Sequence, residues 1–255
     1  MLVTLKMTPE EAYKPLMGLS PPFLPYRDAG YGAATYHITV LDCLRGLYKG
    51  LTVGLLNFDT FNAEEYEFYE KVENGDFNWL SDKFLALASP HDDPPQAAYF
   101  AQQQALAQKG LAASSGYASL LATYKQQKKS RFTSCYRIED LIQYFKEKGV
   151  GTIIRLNNKL YDRKKFTDAG IEHIEMYFPD GTTPPDHILR KFLEIVESRP
   201  GPIAIHCKAG LGRTGSLIAA YFMKHYQFTA AEMISYLRVM RPGSIVGPQQ
   251  NYLQA

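Results

Sequence analysis

The sequence predicts an α/β fold with a central, mostly parallel sheet flanked by helices, and three observations carry that prediction. From Arg137 onward, short apolar runs alternate with amphipathic stretches, the pattern of strand and helix units that bury a sheet on both faces. One run, "GPIAIH" (201 to 206), passes through a glycine-containing loop straight into a helical stretch, as a short central strand would. A compositionally biased segment, residues 91 to 136, separates this regular part from an aromatic-rich first part.

Residues 1 to 90 are dense in aromatics and turn chemistry, with "PPFLPYRDAG" (21 to 30), "NAEEYEFYEKVENGDFNWL" (62 to 80) and the single tryptophan, Trp79. This stretch reads as packed chain, a partial domain preceding the regular one. Residues 91 to 136 are rich in Ala, Gln and Ser and carry a basic cluster near their end. Ala and Gln favour helix, yet such a segment between two aromatic-rich ones is more simply a linker or insertion.

The second domain is expected over 137 to 255. "EDLIQYFKEKG" reads as a helix stopped by Gly149, "VGTIIRLNN" as a buried strand and "IEHIEMYF" as a second strand. "PDHILRKFLEIVESR" places Ile188, Leu189, Phe192, Ile195 and Val196 on one helical face. After the central strand, "TGSLIAAYFMKHY" turns Leu217, Ile218, Tyr221 and Phe222 inward, and Thr229-Ala-Ala-Glu232 is a capping box that opens another helix.

Bulk properties bound the function. The 255 residues are 45% apolar and 21% charged, ample for a core, and a net charge of +2 gives no electrostatic case for nucleic acid or an anionic membrane as the main partner. Cys43, Cys135 and Cys207 are few, odd in number and far apart, which suits a reducing compartment better than a disulfide framework. No window approaches eighteen uninterrupted apolar residues and the amino terminus lacks a signal-peptide pattern, so a soluble intracellular protein is expected.

The chemistry concentrates in "HCKAGLGRTG" (206 to 215). Between strand and helix, Cys207, Lys208, Ala209, Gly210, Leu211, Gly212 and Arg213 form a loop whose glycines let the backbone curl. Successive N–H groups then point into one concavity, joined by the free N–H groups of the next helix. A phosphate dianion matches that nest in size and charge, and Arg213 can grip two of its oxygens. The same donors favour thiolate over thiol at Cys207. The plainer alternative, a structural cysteine in a turn, does not account for the strand, the two glycines, Thr214-Gly215 and the helix together. A nucleotide-binding P-loop would need Gly-Lys followed by Ser or Thr, where this chain has Gly212-Arg213-Thr214.

A thiolate attacking phosphorus needs an acid for the leaving oxygen. Asp180 in "YFPDGTTPP", at the end of a predicted strand, is the foremost candidate, with Asp186 and Asp162 as rivals, although Pro-Asp-Gly is also ordinary turn chemistry. Thr214 can hydrogen-bond the sulfur, and His206 is expected to support the loop through backbone hydrogen bonds rather than act as a base. The chemistry calls for no cofactor and no metal.

His206-Cys207-x5-Arg213-Thr214 resembles the signature of cysteine-dependent protein tyrosine and dual-specificity phosphatases. The strings "TIIRLNNKLYDRKKFTDAG", "FPDGTTPPDHI", "HCKAGLGRTGSLIAAYFMKHY" and "RPGSIVGPQQNYL" are similar to the cell-division-cycle fourteen family of mitotic-exit phosphatases. "TPEEAYKPL", "PFLPYRDAGYG" and "NAEEYEFYEKVENGDFNWL" resemble that family's non-catalytic amino-terminal domain. The resemblance implies the cysteine-dependent phosphatase fold, with Cys207 as nucleophile, Arg213 as phosphate clamp and Asp180 as general acid. It implies that Gln249 and Gln250 position the hydrolytic water. It further implies phosphoserine- or phosphothreonine-proline substrates made by cyclin-dependent kinases, phosphotyrosine as a second substrate, and nuclear, nucleolar, cytoplasmic and spindle-pole or centrosomal pools. By the same comparison the first half of the amino-terminal domain and the helices beyond the glutamines are missing, so a piece of a longer protein is expected. Glu139 matches part of the family's acidic groove for a basic substrate residue, or is simply an exposed glutamate at a helix start.

Two other functions compete. A phosphoinositide phosphatase of the phosphatase-and-tensin type shares "HCKAG" and "GRTG", but such enzymes resemble one another in a second loop lysine where this chain has Leu211. A catalytically impaired phosphoprotein-binding module would typically have lost the cysteine, the arginine or the acid, and here all three are present.

Overall fold

The computed structural model describes residues 1–92 and 131–255. Its sheet has five strands, β1 (Phe77–Trp79), β2 (Phe84–Leu87), β3 (Thr152–Arg155), β4 (Glu172–Glu175) and β5 (Ile203–His206), in the order β1-β2-β5-β3-β4. β2, β5, β3 and β4 run parallel, and β1 closes one edge antiparallel to β2. In register, Leu87, His206, Arg155 and Glu175 end their strands side by side. The carboxyl edge of the sheet is therefore one continuous rim, where open α/β sheets place their ligands.

β5 is buried along its whole length, as its central position requires. Its alternation splits the core. Ile203 and Ile205 join Phe84, Ala86, Ile154, Phe192, Leu217 and Phe222 on one face, while Ala204 joins Leu85, Leu87, Ile153, Phe145 and Phe166 on the other.

Among the described residues the helices are α1 (Pro9–Tyr13), α2 (Val40–Thr52), α3 (Ala63–Tyr69), α4 (Ile138–Lys148), α5 (Lys164–Thr167), α6 (Asp186–Ser198), α7 (Gly212–Tyr226), α8 (Ala230–Met240) and α9 (Pro248–Gln254). α4 stops at Gly149, which adopts the left-handed conformation at φ 72°. α6 buries Ile188, Phe192 and Val196, with Leu189 and Ile195 half-buried at the flanks. α8 begins with the expected capping box: the Glu232 N–H donates to Thr229 Oγ1 at 3.3 Å, and the Thr229 N–H donates to the Glu232 carboxylate at 2.9 Å.

The first part of the chain does not stand apart. β1 and β2 precede residue 90 yet lie in the same sheet as β5, so the expected division at 90 cuts through one structural unit. They lie among aromatic, turn-rich residues, and β2 finds its partner β5 more than a hundred residues on, which hid the pairing in the sequence. α2 lies so close to α8 that a Cβ on Gly46 would meet the Glu232 carbonyl at 2.3 Å and one on Gly50 the Tyr236 ring at 2.4 Å. Most of the expected linker, 91 to 136, falls outside the described residues. No described helix is long and apolar enough to cross a membrane.

Candidate active site

Cys207 directly follows β5 and is buried, 2% exposed, at the carboxyl rim of the sheet. The loop then curls through Lys208 and Ala209, both exposed, into Gly210 at φ 68°. Only glycine fits there, since an added Cβ would sit 2.1 Å from the Leu87 carbonyl oxygen at the end of β2. Leu211 and Gly212 complete the curl into α7, and among the described residues no side chain caps that helix, which leaves its first N–H groups open to an anion.

The loop's outward-facing carbonyls are tied down from behind. The Lys208 carbonyl accepts from the Ser89 N–H at 3.0 Å. Arg241, 2% exposed at the end of α8, donates from Nε to the Gly210 carbonyl at 2.9 Å and from Nη2 to the Ala209 carbonyl at 3.0 Å. It is held in turn by Asp76 and by Asn78 Oδ1, each at 2.9 Å. With the carbonyls pulled backward, the intervening N–H groups turn forward, as an anion nest requires. Sequence reasoning missed Arg241. An arginine before Pro-Gly reads as an ordinary helix stop, and the contact with 209 and 210 is long-range.

Arg213 lies in the first turn of α7, 3% exposed. Its Nη1 donates to the carbonyls of Leu156 at 3.2 Å and Phe178 at 3.0 Å. Its Nη2 is 3.1 Å from Asp180 Oδ1, and its buried Nε has no hydrogen-bond partner among the described residues. The guanidinium is thereby locked on one side and offers Nε and Nη2 on the other, the edge that grips two phosphate oxygens. Asp180 is exposed on the loop after β4, and its proximity to Arg213 brings the predicted acid and clamp together. The rivals lie elsewhere: Asp186 opens α6, and Asp162 accepts the Lys164 N–H at 3.1 Å. That bond, above all, holds the Asp162 carboxyl below its usual range.

Thr214 is buried in the same turn, and its hydroxyl has no hydrogen-bond partner among the described residues, the Cys207 sulfur included. His206, fully buried, sets Nδ1 3.3 Å from the Cys207 carbonyl oxygen. Burial pulls its pKa down to about 3, so at neutral pH it is uncharged.

The two glutamines part company. A Cβ on Gly212 would meet the Gln249 amide at 2.7 Å, and Gln249 Nε2 donates to the Thr182 carbonyl at 3.1 Å, which links cradle and acid loop. Gln250 is engaged by Arg238 at 2.9 Å and by the Gly247 carbonyl at 3.2 Å. It supports the turn, and only Gln249 is placed against the cradle. Glu139 is an exposed residue of the first turn of α4, 3.5 Å from Lys165 and 3.6 Å from Arg137. It stays outside the lining of the cavity of about 270 Å³ beside Lys208, to which its neighbours Ile138 and Leu141 contribute.

Residues 129–227 match the family described as "Polymorphic toxin system, DSP-PTPase phosphatase", and residues 1–50 match "Dual specificity protein phosphatase, N-terminal half". The chain is 49% identical over 258 residues to dual specificity protein phosphatase CDC14A of Mus musculus, covering 99% of this chain and 37% of that protein. It is 41% identical over 255 residues to the tyrosine-protein phosphatase CDC14 homolog of Schizosaccharomyces pombe, covering 99% and 42%. It is 42% identical over 247 residues to tyrosine-protein phosphatase cdc-14 of Caenorhabditis elegans, covering 96% and 30%. The chain thus spans well under half the length of these relatives.

Proposed function

Over the residues it spans the chain belongs to the CDC14 family of dual specificity phosphatases, and from that premise we propose that it hydrolyses phosphoserine, phosphothreonine and phosphotyrosine in proteins through a phosphocysteine intermediate. The observation that carries this reading is the convergence of buried Cys207, the glycine-curled nest, and Arg213 with Asp180 3.1 Å away. In the first step the Cys207 thiolate attacks phosphorus in line, the S–P bond forms and the P–O bond breaks. The leaving oxygen takes the proton of Asp180, while Arg213 and the nest stabilise the equatorial oxygens. In the second step Asp180 accepts a proton from water, water displaces the sulfur, and Gln249 orients that water.

The preference for proline after the phosphoresidue, the role against proline-directed kinases at mitotic exit and the nuclear, nucleolar and cytoplasmic pools are supported by the family resemblance. One comparison tests the reading: turnover of matched phosphopeptides, Ser-Pro with and without a downstream Lys, beside a soluble phosphoinositide. Faster peptide release, abolished by Cys207→Ser, is expected. Faster lipid release would replace the protein substrate by a lipid, and retained turnover in Cys207→Ser would remove the nucleophile.

A further inference from the structure

A row of buried polar groups runs away from the nucleophile, and the two chemical steps use none of its members. Tyr161, 1% exposed, sends its hydroxyl between two imidazoles, 2.7 Å from His206 Nε2 and 2.8 Å from His173 Nε2 on β4. His206 Nδ1 faces the Cys207 carbonyl. His173 Nδ1 lies 3.6 Å from Oε1 of Glu175, a carboxylate that Arg155 holds through both Nε and Nη2. Arg155 also covers the Tyr161 ring, its guanidinium carbon 4.7 Å from the ring centroid.

One proton arrangement satisfies this row. A carbonyl oxygen only accepts, so His206 Nδ1 carries the proton, and because the ring is neutral its Nε2 presents a lone pair. Tyr161 must therefore donate to His206. With its single proton spent, the tyrosine oxygen accepts from His173 Nε2–H. His173 Nδ1 is then the bare nitrogen, and it is indeed buried with no hydrogen-bond partner among the described residues. Every donor in the row takes its direction from the Cys207 carbonyl.

We propose that Tyr161 and His173 are positioning residues of the phosphatase reaction, which hold His206 in its Nδ1–H tautomer and so keep the Cys207 carbonyl tied back from the phosphate cradle. The inference rests on the reading of Cys207 as nucleophile. In the opposite tautomer the Nδ1 lone pair would face the carbonyl lone pairs, and the peptide after Cys207 would be free to turn a carbonyl toward an incoming phosphate. The Tyr161 hydroxyl closes that option because it reaches His206 as a donor. His173 keeps it a donor by occupying its acceptor side.

The test combines kinetics with the ¹⁵N resonances of the His206 ring, which distinguish the two neutral tautomers. Tyr161→Phe retains the ring that packs on Arg155 and Phe166 and removes only the hydroxyl. The expected result is a 10- to 10²-fold loss of kcat, on the order of the cost of misplacing a reacting group, with KM changed much less and the Nδ1–H signature of His206 lost. His173→Gln, whose amide N–H can still donate to Tyr161, should keep both kcat and signature, while His173→Leu should lose both. Wild-type kcat with the signature intact in Tyr161→Phe would overturn the proposal, as would lost kcat with the signature intact. Should Tyr161→Phe fail to fold, the contrast between Gln and Leu at 173 decides, and equal behaviour of those two overturns it. The ring resonances are read without turnover, so a failure of the Cys207 assignment itself would be seen separately.

Discussion

Asp180 stands exposed beside a buried arginine, and what it does depends on the leaving group. Expelling a serine alkoxide requires a proton because the alcohol is a very weak acid; expelling an activated phenoxide needs much less help. Asp180→Asn is therefore expected to cut phosphoserine-peptide turnover by roughly 10²- to 10⁴-fold and hydrolysis of a nitrophenyl-type ester considerably less. Equal losses on both substrates would assign the acid to another residue. Arg241 acts on the same chemistry without touching substrate. Arg241→Gln removes the fork that holds the Ala209 and Gly210 carbonyls and leaves Asp76 unpaired. The expected outcome is weaker phosphate-analogue binding by about tenfold, the worth of one charge-assisted hydrogen bond, together with slower turnover. Unchanged vanadate affinity would show that the nest holds its shape unaided. Cys207 and Arg213 are legible in the sequence because reaction chemistry fixes residue type and spacing within one loop; Asp180 is one of three acids of the right type, and the family resemblance singles it out. Arg241, Tyr161 and His173 were not. Each acts on a group twelve or more residues away in the chain, and an isolated Arg, Tyr or His at such a site carries no periodic or spacing signal.

Helices α4, α6, α7 and α8 could be read at the element scale because each shows a strong apolar stripe or a cap. β3, β4 and β5 followed from apolar runs bounded by turn residues. β1 and β2 fall in the stretch read as a separate domain, because aromatic and turn-rich residues surround them and β5, the partner of β2, lies more than a hundred residues on. The close approach of α2 to α8 was equally hidden: Gly46 and Gly50, one helical turn apart, look in sequence like mere helix weakeners. In the structure they let the two helices meet backbone to backbone and side chain. Gly46→Ala should raise helix propensity yet force a Cβ to within 2.3 Å of the Glu232 carbonyl. The expected net effect is destabilisation of about 1 to 3 kcal/mol, as for overpacking generally. Chemical denaturation of this variant beside Gly151→Ala, where an added Cβ meets nothing within 4 Å, measures it. A stabilised Gly46→Ala would mean that α2 is free to move away from α8.

The contacts that cross the presumed boundary make one cooperative body of the described residues. Lys49 on α2 binds the Gln227 carbonyl and reaches Glu232 at 3.3 Å, Tyr66 donates to the Val239 carbonyl at 3.1 Å, and Asp28 accepts the Gly247 N–H at 2.7 Å just ahead of the glutamines. In such a body the protonation of one buried site is felt as global stability. His206 directly precedes Cys207 and His173 joins it through the Tyr161 hydroxyl, and burial pulls their pKa values to about 3 and about 4. In the unfolded chain both return to about 6.5. Between those values the unfolded state binds two protons that the native state refuses, so stability is whole above pH 6.5 and is lost as the pH falls toward 4. The slope approaches about 2.7 kcal/mol per pH unit for two protons. The carboxylates held low by their partners, such as Glu172 beside Arg199 and Glu197 beside Lys224, add their own loss only nearer their ordinary value of 4.5. The interval from pH 6.5 to 5 therefore reports mainly the two imidazoles. Urea unfolding of the wild type at half-unit steps from pH 7 to 5 should show this decline, and His173→Gln, which keeps the donor to Tyr161 but cannot titrate, should halve its slope. A wild-type stability that stays level across that interval would mean that the row from Glu175 to Cys207 opens to water and takes up its protons while folded.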